Sequence, residues 1–122
     1  WGLVWAAVWG RVAPLLAMQA FPYLRDPARG TAAFHRDNWR GPLPEWAPAL
    51  LLLGVLTGFA FSLGAGPWWW LGWVGVLPAL WVPYGLGRRL GGHSGDSYGA
   101  CVEWTLSWSV LLMGLISRWA AA

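Results

Sequence analysis

Residues 46–87 read WAPALLLLGVLTGFAFSLGAGPWWWLGWVGVLPALWVPYGLG: 42 consecutive positions without Asp, Glu, Lys, Arg or His. A helix crossing a hydrocarbon core of about 30 Å needs about 20 apolar residues. This run holds two such crossings, and Gly64-Ala65-Gly66-Pro67 in its middle is a turn signal. A buried soluble hairpin is the alternative, but 122 residues that are 57% apolar and 11% charged carry too little polar surface to cover one. The stretch therefore sets the fold class: an all-α, polytopic helical bundle in a lipid bilayer.

Working outward, the same reasoning gives four helices, at about 2–21, 48–63, 68–86 and 97–117, with a polar loop over 22–46. Pro14 and Pro78 should kink their helices, because proline has no N–H and crowds the carbonyl four residues back. All eight basic residues are Arg, and the net charge is +3. Without Lys the chain has no Walker-type phosphate loop, which needs that ammonium. Four alternating crossings place Arg25, Arg29, Arg36, Arg40, Arg88 and Arg89 on one side and Arg118 alone on the other. The positive-inside rule makes the arginine-rich side cytoplasmic. One cysteine, Cys101, cannot form an internal disulfide and reads as a packing residue.

Thirteen tryptophans stand out. Trp68, Trp69 and Trp70 fall at the expected outer boundary and Trp39 and Trp46 at the inner one, where indoles favour the interface. Trp1, Trp5 and Trp9 form one helical stripe, expected to face lipid or a neighbouring helix. Stacking of nucleic-acid bases needs exposed aromatics along a basic groove, which this arrangement does not offer, so no nucleic-acid partner is expected.

Charged groups inside spans are costly and normally face the bundle interior with a partner. Arg11 lies about eleven residues above Pro22, roughly 16 Å along the helix, and Glu103 roughly 9 Å into the last helix. Asp96, Glu103 and Ser107 share one helical face with Gly99 and Ala100 nearby. Such a stripe reads as an inward face, and Arg11 is expected to pair with Glu103, either for function or only to fix helix register.

The densest signal is Arg88-Arg89-Leu90-Gly91-Gly92-His93-Ser94-Gly95-Asp96-Ser97-Tyr98-Gly99-Ala100. Glycines let the backbone approach a ligand. Ser94, Asp96 or Ser97 can cap the following helix, whose start offers N–H groups to an anion. Arg88 and Arg89 can meet phosphate oxygens, and Asp96 can contact a divalent cation or a hydroxyl proton. A plain glycine-rich turn with an N-cap explains the same residues equally well. His93 reads as an ordinary loop histidine, and His35 has no carboxylate or thiol at ligand spacing.

This pattern, with Glu103 downstream, resembles the C-terminal motif of the cobalamin synthase (adenosylcobinamide-GDP ribazoletransferase) family: Gly-Gly, a variable residue, Thr, Gly-Asp, two variable residues, Gly-Ala, then a Glu in the last helix. Arg11 in an apolar helix followed by Pro22-Tyr23 and Arg25 is similar to the family's Arg and its Tyr-x-Arg turn. Ser94 stands where Thr is usual, and 26–31 follows the family's acidic-then-glycine pattern loosely. The family's aspartate-rich N-terminal motif, the expected source of the main Mg²⁺ ligands, has no counterpart.

The resemblance implies a multi-pass enzyme of the bacterial inner membrane, with the glycine-aspartate motif on the cytoplasmic side. It would join α-ribazole or α-ribazole phosphate to adenosylcobinamide-GDP and release GMP, the last step of cobalamin biosynthesis. Asp96 is expected to be catalytic and to contact Mg²⁺, whose main ligands the resemblance places in the aspartate-rich motif. Gly91, Gly92, Ser94, Gly95, Arg88, Arg89 and Arg25 are expected to bind substrate, and Arg11, Glu103 and Tyr23 to shape the site. The chain opens mid-hydrophobic at Trp1 without an initiator Met, and is expected to be a C-terminal half, inactive alone. A homo-oligomer is compatible with this reading. The competing expectation is a small non-enzymatic membrane subunit that packs into a larger complex through the Trp1/Trp5/Trp9 stripe. A transport module is disfavoured, because the outer half of every helix lacks Asp and Glu.

Overall fold

The computed structural model describes residues 1–24 and 37–120. Its helices are α1 (Gly2–Ala20), α2 (Pro42–Ser62), α3 (Trp68–Leu71), a 3-10 turn (Gly72–Gly75), α4 (Val76–Leu90) and α5 (Gly95–Ala120). Among the described residues the only extended pairing is an isolated parallel bridge between Tyr23 and His93. The all-α membrane bundle expected from the sequence is what forms. α1, α2 and Gly95–Trp119 are each long and apolar enough to span. The segment expected as a further crossing is a composite rod from Trp68 to Leu90, roughly 36 Å of combined α and 3-10 rise.

Helix ends differ from the sequence reading where proline is involved. α2 starts at Pro42 rather than at about Pro48, so the preceding loop is shorter than 22–46. Pro42 and Pro44 fall in the first turn, where a backbone N–H would find no intrahelical acceptor, so proline's lack of one costs nothing, and Glu45 there complements the helix dipole. Pro48 is accommodated inside α2. α4 runs to Leu90 and takes Arg88 and Arg89 into its last turn; Gly91, at φ 76° and ψ 10°, ends it in the left-handed conformation. The disturbance expected at Pro78 appears as the 3-10 turn just before it, since Val74's carbonyl has no N–H at position 78 to receive.

α1 is the centre of the bundle, and this corrects the reading of its tryptophan stripe. Trp5 and Trp9 are buried, not lipid-facing; of the three, Trp1 alone is exposed. The reason is glycine on the opposing rod. A Cβ at Gly72 would be driven into the Trp5 ring, and one at Gly75 into the Trp9 ring. Bare backbone thus accepts two indoles, and close approach of this kind is what small residues allow between membrane helices. Trp9 Nε1–H donates to the Gly72 carbonyl at 2.8 Å, and Trp73 packs against both rings. The surface on which a subunit-packing role for Trp5 and Trp9 would rest is therefore interior.

The ends of the elements meet in a consistent order. Trp46 Nε1–H donates to Gln19 Oε1 at 2.6 Å, tying the end of α1 to the start of α2. Trp1 packs at a tilt against Phe59, and Phe61 edge-on against Trp69, at the other end. Arg40, Arg88 and Arg89 therefore share one end of the bundle with the turn between α4 and α5, and Arg118 lies at the other. Arg25, Arg29, Arg36 and His35 fall outside the described residues.

Candidate functional site

The turn from Gly91 to Ser94 is built as a sharp elbow pinned to the segment after α1. Gly92 has φ 153°, and a Cβ there would stand 2.5 Å from the Pro22 carbonyl oxygen. Glycine is required on both counts. The close approach lets the His93 amide donate to the Pro22 carbonyl at 2.9 Å, and the Leu24 amide donate to the His93 carbonyl at 2.8 Å. Tyr23 sits between these two bonds, half-buried, with its ring stacked on Tyr98 at 6.1 Å.

Ser94 caps α5. Its hydroxyl accepts from the Ser97 amide at 3.5 Å, and Ser97 Oγ accepts from the Ser94 amide at 2.8 Å. This is the reciprocal arrangement of a capping box, made by Ser-x-x-Ser. Gly95 and Asp96 then form the first turn of α5, where the ladder supplies no carbonyl for their amides. Asp96 is exposed at the mouth of the elbow, and its position in the first turn sets its carboxylate beside the positive end of the helix.

His93 is the residue that sequence reasoning missed. It is completely buried, not an ordinary loop histidine. Nε2 lies 3.0 Å from the Pro83 carbonyl, which can only accept, so Nε2 carries hydrogen; Nδ1 lies 3.0 Å from Ser97 Oγ. One imidazole thus joins α4, the elbow and the cap of α5. Its sequence signal was slight: a ring between Gly-Gly and Ser-Gly, four residues before a serine. Phe21 packs edge-on to it and to Tyr84, while Tyr98 stacks on it. Arg88 lies over Tyr84, 5.8 Å from the ring centre, and extends this aromatic row to the bundle surface.

Burial pushes His93 below its ordinary value of 6.5, against a smaller upward pull from the Pro83 carbonyl. The unfolded chain therefore takes up the proton before the folded elbow does, and folding loses stability as pH falls below 6.5. The midpoint of detergent-monitored unfolding should be flat above pH 6.5 and decline below it. His93→Gln should start about 1–3 kcal/mol less stable, through buried hydrogen bonds lost or misaligned, and show a flatter profile. An unchanged slope in the variant would remove His93 as its source.

The face of α5 that turns inward is not the one expected. Ser97, Tyr98, Cys101, Thr105, Ser109 and Met113 are buried, and Asp96, Glu103 and Ser107 are exposed on the far side. Desolvation explains the choice: the face that packs on α1 carries small and apolar side chains, whereas burying two carboxylates would cost several kcal/mol. α1 and α5 cross where a Cβ on Gly10 would meet the Val102 carbonyl at 3.1 Å. Arg11 and Glu103 flank that crossing in sequence, yet both are exposed, so the expected interior ion pair does not form. They stand as charged groups on the outer surface of the bundle.

Arg89 and Arg88, adjacent in sequence, serve different surfaces. Arg89 borders a groove of about 100 Å³ lined by Trp81, Val82, Gly85, Leu86 and Trp104, on another stripe of α4 from Tyr84 and Arg88. Among the expected site residues the structure brings together Gly91, Gly92, Ser94, Gly95, Asp96, Tyr23 and Arg88 around the elbow. It leaves Arg11 and Glu103 apart from it, and Arg25 lies outside the described residues. Among the described residues no cluster of three His, Cys, Asp or Glu side chains suits a metal ion.

Comparison with known proteins follows the same outline. The profile of the family described as cobalamin-5-phosphate synthase matches residues 1–116. The chain is 44% identical to an adenosylcobinamide-GDP ribazoletransferase of Prochlorococcus marinus (strain MIT 9313), over 93% of this chain and 46% of that protein. It is 40% identical to the enzyme of that name from Thermosynechococcus vestitus, over 84% and 39%. It is 37% identical to the one from Synechocystis sp., over 94% and 44%. The chain thus spans under half the length of the curated relatives it matches. No solved structure matches it.

Proposed function

The chain belongs to the cobalamin-5-phosphate synthase family, and from that premise we propose that it supplies the phosphate-holding half of an adenosylcobinamide-GDP ribazoletransferase. The observation that carries the reading is the elbow. Two glycines at positive φ, a serine cap and an exposed carboxylate at a helix start are held at the arginine-rich end by a buried histidine. The excess of arginine at that end supports reading it as the cytoplasmic side, in a bacterial inner membrane.

A hydroxyl oxygen of α-ribazole or its phosphate attacks the cobinamide-bearing phosphorus of adenosylcobinamide-GDP. The bond from that phosphorus to the GMP oxygen breaks, and GMP departs with its electron pair. The hydroxyl proton passes to a base, and a phosphodiester remains. Such a transfer asks mainly for positioning and for charge against the phosphate oxygens. The first-turn amides of α5 and the Arg88 guanidinium would provide donors of that kind, and exposed Asp96 would be the base that takes the hydroxyl proton.

Mg²⁺ supplies further charge neutralisation in phosphoryl transfers and commonly takes one or two carboxylates together with phosphate and water oxygens. Among the described residues Asp96 would supply one such carboxylate, and no His, Cys, Asp or Glu cluster completes a site around it.

The test is a chimera in which this chain replaces the matching segment of the Prochlorococcus relative. Membranes holding it should convert the two substrates to a cobalamin product with stoichiometric GMP. A correctly inserted chimera that forms no product would overturn the assignment.

A further inference from the structure

The groove between α4 and α5 has no place in the chemistry above, and its composition is specific. Among the described residues it is lined by Val82, Gly85 and Leu86, by the indoles of Trp81 and Trp104, and by one charged residue, Arg89. Both indoles are about half exposed, so the groove is open along the outside of the bundle. From Trp81 to Arg89 is eight residues of helix, roughly 12 Å. The groove therefore starts at the arginine-rich end and descends into the apolar span. At Gly85 a Cβ would meet nothing within 4 Å, so this position leaves the groove open without being needed for packing.

We propose that this groove is a binding site for one anionic phospholipid, with an acyl chain along Val82, Gly85 and Leu86 and the headgroup phosphate on Arg89. An apolar trough that opens laterally at membrane depth and ends in one cation matches an acyl chain joined to a phosphate. Charge complementarity favours a net-anionic headgroup, since a zwitterionic one brings its own cation to the arginine. A water-soluble nucleotide would instead approach from the elbow end, where Arg88 lies over Tyr84. The inference rests on the membrane bundle and stands whether or not the chain takes part in cobalamin assembly.

Native mass spectrometry of the full 122-residue chain, released from detergent with equal phosphatidylglycerol and phosphatidylcholine, tests it. One phosphatidylglycerol should be retained preferentially. Arg89→Gln should lower that retention about five-fold or more. Gly85→Phe, which fills open space, should lower it as well, and Arg118→Gln at the opposite end should not. Circular dichroism checks that each variant keeps its helix content. Equal retention of the two lipids, or undiminished phosphatidylglycerol on a folded Arg89→Gln chain, would overturn the proposal. So would displacement of the bound lipid by α-ribazole phosphate, which would assign the groove to substrate.

Discussion

Asp96→Asn, placed in the chimeric enzyme, should lower turnover by about 100-fold or more while membrane insertion and helix content stay unchanged. The size follows from the role: loss of a positioned proton acceptor costs about 10²–10⁴-fold. The selectivity follows from the structure. Asp96 is exposed in the first turn of α5, and the cap of that helix is made by Ser94 and Ser97 instead. Asparagine is also favoured near a helix start and keeps an accepting oxygen of the same reach, so the fold is expected to tolerate the change. Had Asp96 been the cap, activity and stability would fall together, and the experiment would not separate chemistry from folding. Near-normal turnover would remove Asp96 from the catalytic role. A drop in stability matching the drop in rate would make it a structural residue.

The division between Asp96 and Ser94 also shows what the sequence could disclose. The uncharged run from Trp46 to Gly87 and the arginine distribution were sufficient for the bundle and for which ends meet. Both depend on the cost of charge in hydrocarbon, a one-dimensional property that composition records directly. Facing is different. Trp1, Trp5 and Trp9 lie on one stripe of α1, but whether it meets lipid or protein depends on the surface opposite. Only the folded chain brings Gly72 and Gly75 there. The same holds for α5. Asp96, Glu103 and Ser107 do share a face, yet the bundle buries the opposite one, because it is lined by Cys101, Thr105, Ser109 and Met113.

For the elbow, the motif was legible as a unit and its internal roles were not. Two arginines in succession carry the same chemistry on paper. In the bundle, helical rotation sends Arg88 over Tyr84 and Arg89 to a separate groove. His93 gave no sign that it would be the most enclosed polar group of the turn. Its partners Pro83 and Ser97 lie ten residues before and four after it, and only a reversal of the chain at Gly91 and Gly92 brings them together.

That reversal is where the second large effect is expected. Gly91→Ala and Gly92→Ala change adjacent residues by the same methyl group, and their outcomes should differ sharply. At Gly91, φ is 76° and a Cβ would meet nothing within 4 Å. Alanine there pays for a left-handed conformation alone, about 1–2 kcal/mol. At Gly92, φ is 153° and the new Cβ would lie 2.5 Å from the Pro22 carbonyl and 2.8 Å from Leu24 Cδ2. Backbone cannot swing aside as a side-chain tip can, so strain and steric overlap add to roughly 3 kcal/mol or more. Relief requires Pro22–Leu24 to separate from His93, breaking both bonds of the bridge. Hydrogen exchange should then show the His93 and Leu24 amides deprotected in Gly92→Ala and still protected in Gly91→Ala, and chimeric activity should fall with the former far more than with the latter. Equal protection in the two variants would mean that the contact with Pro22 does not hold the elbow, and the pinning of the candidate site to the end of α1 would have to be abandoned.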